Sequence, residues 1–330
     1  MLTEVRQERE ALVSKLFPRG IPRLWCPPVT HYRSDGSLDT DRIRAHITAL
    51  APHVGGLLVP GSTGDGWELS RVQKLDLLDI VMPLAGRLGL SVLVGALEPT
   101  GDGMLGFINE AGSRLQAGPV AGIVVCAPAG AEKTVAEIEA TLGRVLGLGL
   151  PTALYQLPQI TGNEIAPATA ARLAATYPNF YMLKDSSGAD HVAMSSQNLD
   201  GVFLVRGAES GYSGWYKPRG PYDGFLLSTA NWLAPQLAEV VAGTSSSELD
   251  TRIDAAVADA FGIVPGYPTG NAFGNSAKLM DHVMAWGADA AEVPGPYSRD
   301  GRPFPPGLVL RALELCKYHG LLPAQGYMQQ

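Results

Sequence analysis

From residue 22 onward, eight short apolar runs alternate with longer segments of helical period. The runs are Pro22 to Trp25, Gly56 to Val59, Ser91 to Gly95, Gly122 to Cys126, Thr152 to Tyr155, Tyr181 to Lys184, Val202 to Val205 and Gly224 to Leu227. Each is apolar on both faces, as a strand buried in a parallel sheet must be. Helix candidates lie between them at Asp39 to Leu50, Arg71 to Leu84, Gly103 to Gln116, Val135 to Leu146 and Pro167 to Ala175, opened or closed by Gly, Pro, Ser or Asp. Such alternation marks repeated βα units, and eight of them suffice to close a barrel. The expected fold is therefore α/β, a (β/α)8 TIM barrel with a C-terminal helical extension. Strand order is not written in one sequence, and a doubly wound open sheet satisfies the same alternation. The usual nucleotide signature of that sheet is missing, because Gly61-Ser-Thr-Gly-Asp-Gly66 has neither the G-x-G-x-x-G spacing nor a Walker lysine.

Beyond the eighth run the pattern changes to helices without strands, at Ala234 to Ala242, Glu248 to Phe261, Ser276 to Trp286 and Gly307 to Tyr318. The division this suggests is an N-terminal helical extension over 1–19, the barrel over 20–243 and a helical region over 244–330. With 46% hydrophobic and 17% charged residues, the chain can bury a large core. Its net charge is −7 and no basic run is present, which excludes the electrostatic footprint of a nucleic-acid binder. Cys26, Cys126 and Cys316 are odd in number and far apart, so no disulfide framework is expected. Met1 to Lys15 lacks the unbroken apolar core of a signal peptide, and no stretch is long and apolar enough to cross a bilayer. A cytoplasmic, soluble protein is expected, with no membrane partner.

In barrels of this kind the chemistry sits at the C-terminal ends of the strands. Lys184 ends the sixth run, where burial among apolar groups favours the neutral, nucleophilic form of an amine. A strand-end lysine that leans into water fits the position equally well. Tyr155 ends the fifth run, on the neighbouring strand, and a phenol there can move protons; it can also be a core tyrosine. Gly61-Ser62-Thr63-Gly64 follows the second run, and its hydroxyls and N–H groups can converge on a carboxylate or simply cap a helix. His31, His46, His53, His191, His282 and His319 are scattered without metal-ligand spacing, and surface or capping positions are expected for them. Gly207-Ala-Glu-Ser-Gly211 is not a G-x-S-x-G elbow, which argues against a serine hydrolase.

Taken together, Gly61-Ser-Thr-Gly-Asp65, Tyr155-Gln-Leu-Pro-Gln-Ile-Thr-Gly162, Lys184-Asp-Ser-Ser-Gly188 and Gly224-Phe-Leu-Leu-Ser-Thr-Ala-Asn231 resemble, in order and spacing, the motifs of the dihydrodipicolinate synthase and N-acetylneuraminate lyase superfamily. The resemblance runs from about residue 20 to near the C-terminus. It implies a pyruvate-type class I aldolase or lyase with a Schiff base at Lys184, a proton relay at Tyr155 and a carboxylate held by Ser62 and Thr63. It also implies a homo-oligomer, dimer or tetramer, that needs no metal or organic cofactor. Two departures weigh against dihydrodipicolinate synthesis itself. Ile160 stands where the synthase branch has an arginine, and Ala127-Pro-Ala-Gly130 offers no counterpart to its strand-4 tyrosine. By alignment with the lyase branch, Ser186, Glu209 and Ser228 fall where a sugar-like chain is bound, with Ser210 replacing a second acid. Trp67, Trp215 and Trp232 offer instead an apolar or aromatic aldehyde pocket, or core packing. The expected substrates are a 2-oxo acid and an aldehyde, in aldol cleavage or in dehydration of a deoxy-keto sugar acid; a catalytically silent binding protein is the alternative.

Overall fold

The computed structural model describes residues 3–263 and 272–330. Residues 1–2 and 264–271, which fall within the expected N-terminal extension and C-terminal helical region, lie outside the described residues. The eight apolar runs form β1 Leu24–Cys26, β2 Gly56–Val59, β3 Ser91–Gly95, β4 Val120–Cys126, β5 Thr152–Gln156, β6 Phe180–Asp185, β7 Phe203–Arg206 and β8 Gly224–Leu226. They close a parallel barrel in sequence order, β8 pairing back to β1 through Leu24↔Phe225 and Trp25↔Leu226. The open-sheet alternative is thereby removed.

The helices are α1 Glu4–Leu16, α2 Thr40–Leu50, α3 Arg71–Leu88, α4 Gly101–Ala111, α5 Val135–Leu146, α6 Pro158–Thr161, α7 Pro167–Thr176, α8 Tyr212–Trp215, α9 Ala230–Ala242, α10 Ser247–Gly262, α11 Ala272–Trp286 and α12 Pro306–Tyr318. Local chemistry sets their ends. Ser70 with Gln73 and Thr134 with Glu137 form capping boxes at the starts of α3 and α5. The helix expected over Gly103 to Gln116 instead ends at Ala111 and continues as a 3₁₀ turn over Gly112–Gln116, because Gly112 adopts a positive φ of 48°. Among the described residues no helix is long and apolar enough to cross a membrane.

Strand periodicity divides the core into two layers. Leu57 and Val59 join the layer between strands and helices, whereas Leu58 between them points into the barrel with Leu93, Val124, Met182 and Val205. Trp25 is fully buried inside the barrel and lies flat against Gly56, where an added Cβ would come within 2.2 Å of the indole. Phe17, just beyond α1, packs on Trp25 and Tyr181 and so closes this end of the barrel. Arg9 of α1, only 1% exposed, secures that closure by donating to the carbonyls of Phe180 at 2.7 Å, Tyr177 at 3.0 Å and Asp200 at 2.5 Å, and to that of Ala174. The opposite end, where the strands finish, is left open for a site.

Candidate active site

A cavity of about 290 Å³ opens at the C-terminal ends of the strands. Of the residues picked out from sequence it gathers Lys184, Tyr155, Ser62, Thr63, Ser186, Glu209 and Ser228. Lys184 and Tyr155 are register partners on β6 and β5, so both side chains point to the same interior face. Lys184, 4% exposed, holds its Nζ 4.0 Å from the centroid of the Tyr155 ring, a cation–π contact on the ring face. Its stem has room because β7 is followed by Gly207; a Cβ there would lie 2.7 Å from Lys184 Cε and 2.1 Å from Ser186 Oγ.

The turn after β2 is held by its own backbone. The N–H groups of Gly64 and Gly66 donate to the Gly61 carbonyl at 3.0 and 2.9 Å, and the N–H of Asp65 donates to the Ser62 carbonyl at 3.2 Å. The Trp67 indole donates to Ser62 Oγ at 2.8 Å, and Thr63 Oγ1 shares a hydrogen bond of 2.8 Å with Ser228 Oγ. Asp65 takes a left-handed φ of 59° and turns its carboxylate away from the cavity. There Asp65 Oδ2 accepts from the Tyr32 hydroxyl at 2.8 Å and from the Lys278 ammonium at 2.5 Å, all three residues being buried. Lys278 belongs to α11, so the helical extension is tied directly to the turn that carries Ser62 and Thr63. Sequence reasoning missed this anchor, since a lysine inside an amphipathic helix carries no local mark of its partner.

Glu209 lies in the cavity wall, but its oxygens already accept hydrogen bonds. They take the Ser228 N–H at 2.5 Å, the Thr229 N–H at 3.2 Å, the Thr229 hydroxyl at 2.5 Å and the Tyr212 hydroxyl at 3.1 Å. Burial pushes its carboxyl above the ordinary range, and those donors act in the opposite direction. Ser210 is exposed and gives its carbonyl to Arg206 at 2.9 Å, outside the cavity. Asp185, next to Lys184 but facing the helices, accepts from the Ser187 hydroxyl at 2.6 Å and the Ser187 N–H at 2.9 Å, which sets the turn carrying Ser186. Of the three tryptophans only Trp67 lines the cavity; Trp215 packs on the Arg206 guanidinium at 4.3 Å, and Trp232 is buried beneath the barrel mouth. Leu157 and Gln159 of the motif that begins at Tyr155 also line it, as do Glu68 and Phe261, which carried no signal in the sequence.

The expectation of surface histidines fails for His31, His46, His282 and His319, which are buried. His31 Nε2 lies 3.2 Å from His46 Nδ1, and both imidazoles face Asp281 of α11, at 3.5 and 3.3 Å. Together with Asp281 they present ligand atoms within 4.8 Å of one another. The carboxylate is already balanced, however, since it accepts from Arg42 at 2.6 Å and from the Tyr327 hydroxyl at 2.7 Å. Burial, reinforced by Arg42, holds His31 well below its ordinary pKa, and burial lowers His46 as well. Helix packing brings these residues together across more than two hundred positions, which no spacing rule anticipates.

The comparisons agree with this geometry. The chain is 29% identical to the 4-hydroxy-tetrahydrodipicolinate synthase of Synechococcus sp. strain CC9311, over 53% of this chain and 57% of that one. It is 28% identical to the probable 2-dehydro-3-deoxy-D-pentonate aldolase YjhH of Escherichia coli K12, over 62% and 64% of the two chains. The match thus spans somewhat more than half the length of these curated relatives. Among solved structures, the prophage protein YagE of E. coli K12, described as a dihydrodipicolinic acid synthase family member in complex with pyruvate, superposes with a TM-score of 0.74 at 19% identity, covering 90% of this chain and 98% of its own. The dihydrodipicolinate synthase of Bacteroides thetaiotaomicron gives 0.73 at 20% identity, over 89% and 97%. At such identities the structures establish the shared fold. The family model of the dihydrodipicolinate synthetases matches residues 21–215, more than half of the chain, and this protein belongs to that family.

Proposed function

We propose that the protein is a lyase that forms a Schiff base between Lys184 and a 2-oxo acid of the pyruvate type, and makes or breaks the adjacent carbon–carbon bond. The observation that carries the reading is the placement of a buried lysine amine against Tyr155, in one cavity with the hydroxyls of Ser62 and Thr63. Family membership supports it, as do the aldolase name of the E. coli relative and the pyruvate in the YagE complex.

In this reading Ser62 and Thr63 hold the substrate carboxylate while the Lys184 amine attacks the ketone carbon and water leaves, giving a protonated imine. The imine accepts an electron pair from the neighbouring bond. The Tyr155 hydroxyl gives its proton to the water that leaves as the imine forms, and in aldol cleavage the resulting phenolate takes the proton of the hydroxyl on C4, the C3–C4 bond breaks, an aldehyde departs and an enamine of pyruvate remains. Protonation at C3 and hydrolysis of the imine release pyruvate and the free amine. Dehydration of a deoxy-keto acid uses the same imine and remains a second outcome of the same site. In the same reading Ser186 binds the substrate directly, and Ser228 does so when its hydroxyl leaves Thr63, whereas Glu209 shapes the loop after β8 through Ser228 and Thr229.

The test is to incubate the protein with pyruvate, reduce with borohydride and map the adduct. The expected result is a single adduct on Lys184 that is absent from Lys184→Ala. A folded protein that forms none with pyruvate, 2-oxobutyrate or glyoxylate would overturn the proposal and favour a catalytically silent binding protein.

A further inference from the structure

Besides Lys184, Tyr155, Ser62 and Thr63, the cavity is lined by the apolar surfaces of Trp67, Leu157, Ile160 and Phe261. We propose that the aldehyde joined to, or released from, the imine-bound pyruvate carries an uncharged apolar substituent, aliphatic or aromatic, seated against these four side chains. This inference rests on the Schiff-base reading of Lys184.

The charges point this way first. Among the described residues lining the cavity Lys184 is the only cation, while Glu68 and Glu209 are both acids. Glu68 Oε2 is buried without a hydrogen-bond partner. A carboxylate or phosphate on the aldehyde would enter beside these acids with no guanidinium or ammonium to receive it, and like charges at low dielectric repel strongly.

Hydrogen-bonding capacity points the same way. A polyhydroxylated chain needs donors and acceptors along its length, yet most of those at hand are already used. Glu209 accepts from the Ser228 and Thr229 N–H groups and from two hydroxyls. Ser228 is paired with Thr63, the Gln159 amide donates to the Ser186 and Ser187 carbonyls, and the Trp67 indole donates to Ser62. What the rim presents instead is hydrocarbon, with Ile160 leaving 47% of its surface exposed. Covering such a side chain with an apolar substituent gains free energy in proportion to the area removed from water.

The step balances without a co-reactant. The enamine C3 attacks the aldehyde carbon, the C3–C4 bond forms, and the carbonyl oxygen takes a proton from the Tyr155 hydroxyl. One water then hydrolyses the imine, replacing the one lost when it formed, and a 4-hydroxy-2-oxo acid departs.

The experiment offers the wild-type protein pyruvate with benzaldehyde, isobutyraldehyde, glyceraldehyde or glyoxylate, and quantifies the 4-hydroxy-2-oxo acids, with borohydride trapping of pyruvate alone as the control. The expected kcat/KM for benzaldehyde or isobutyraldehyde is at least tenfold above that for glyceraldehyde and glyoxylate, and Ile160→Arg reverses the order of benzaldehyde and glyoxylate. Equal or greater use of glyoxylate or glyceraldehyde, or a normal pyruvate adduct with no apolar aldehyde consumed, would overturn this inference alone. Failure of the adduct in the control would sink the Schiff-base reading and this inference with it.

Discussion

Replacing Lys278 by methionine tests whether the helical extension serves the site. The substitution keeps the length of the side chain and removes its ammonium from Asp65, whose Oδ2 it contacts at 2.5 Å; the two side chains are 2% and 4% exposed. Removing one partner of a buried ion pair strands the other charge in a medium that solvates it poorly, at a cost of about 3–5 kcal/mol. Against a total stability of about 5–15 kcal/mol the variant still folds. At about 2–4 °C per kcal/mol for domains of 150–250 residues, its melting temperature falls by roughly 10 °C. Because Asp65 also ends the turn that carries Ser62 and Thr63, carboxylate binding loosens too. The pyruvate concentration that half-saturates borohydride trapping rises about tenfold, equivalent to about 1.4 kcal/mol. Acetone, which lacks the carboxylate, is trapped as in wild type. The double variant Asp65→Asn, Lys278→Met carries neither charge and recovers more than half of the lost stability. Calorimetry and trapping at varied pyruvate decide the matter. Melting within 2 °C of wild type, a double variant as unstable as the sum of the singles, or equal losses with pyruvate and acetone would each refute the reasoning.

Two further predictions concern stability. Arg9→Met leaves the carbonyls of Phe180, Tyr177, Asp200 and Ala174 without their shared donor and costs about 3 kcal/mol or more, seen as a lower urea midpoint at unchanged slope. His31 and His46 are neutral in the fold because burial lowers both, whereas in the unfolded chain they take up protons below about pH 6.5. Their contribution is therefore present above about pH 6.5 and is lost as the pH falls toward their folded values, so stability is lower at about pH 5.5 than at about pH 7.5. Urea unfolding at the two pH values, with His31→Leu flattening the dependence, checks this; an unchanged dependence in that variant would remove His31 from the account.

The barrel was legible because its signal is local. Gly56–Val59 and Ser91–Gly95 are strands over the very residues whose apolar runs mark them, and Val135–Leu146 is a helix from its capping box to its last apolar residue. The catalytic candidates were legible for the same reason, since Lys184, Tyr155 and the Ser62–Thr63 turn each close a strand, and barrel symmetry brings strand ends together. What escaped was whatever depends on two distant segments. Lys278 meets Asp65 across 213 positions and Arg42 meets Asp281 across 239, and neither lysine nor arginine shows in its own helix which acid it will find. Phe261 reaches the cavity only because α10 folds back over the barrel mouth. The histidines were assigned to surface or capping positions because they are scattered without metal-ligand spacing, and only the packing of α2 against α11 shows that His31 and His46 are enclosed with Asp281.

One residue that bounds the space of Lys184 supplies no functional atom at all. Gly207 serves by omission, since a single methyl group there would claim the space taken by the fourth carbon of the lysine chain and by the Ser186 hydroxyl. Silencing this centre therefore requires no loss of any acid, base or nucleophile. One added carbon just beyond the neighbouring strand would crowd the end of the lysine chain and the Ser186 hydroxyl while every reactive group stayed in the sequence. On the proposed Schiff-base reading, retention of the lysine is thus a necessary mark of working relatives and not a sufficient one. The informative position is the empty one beside it.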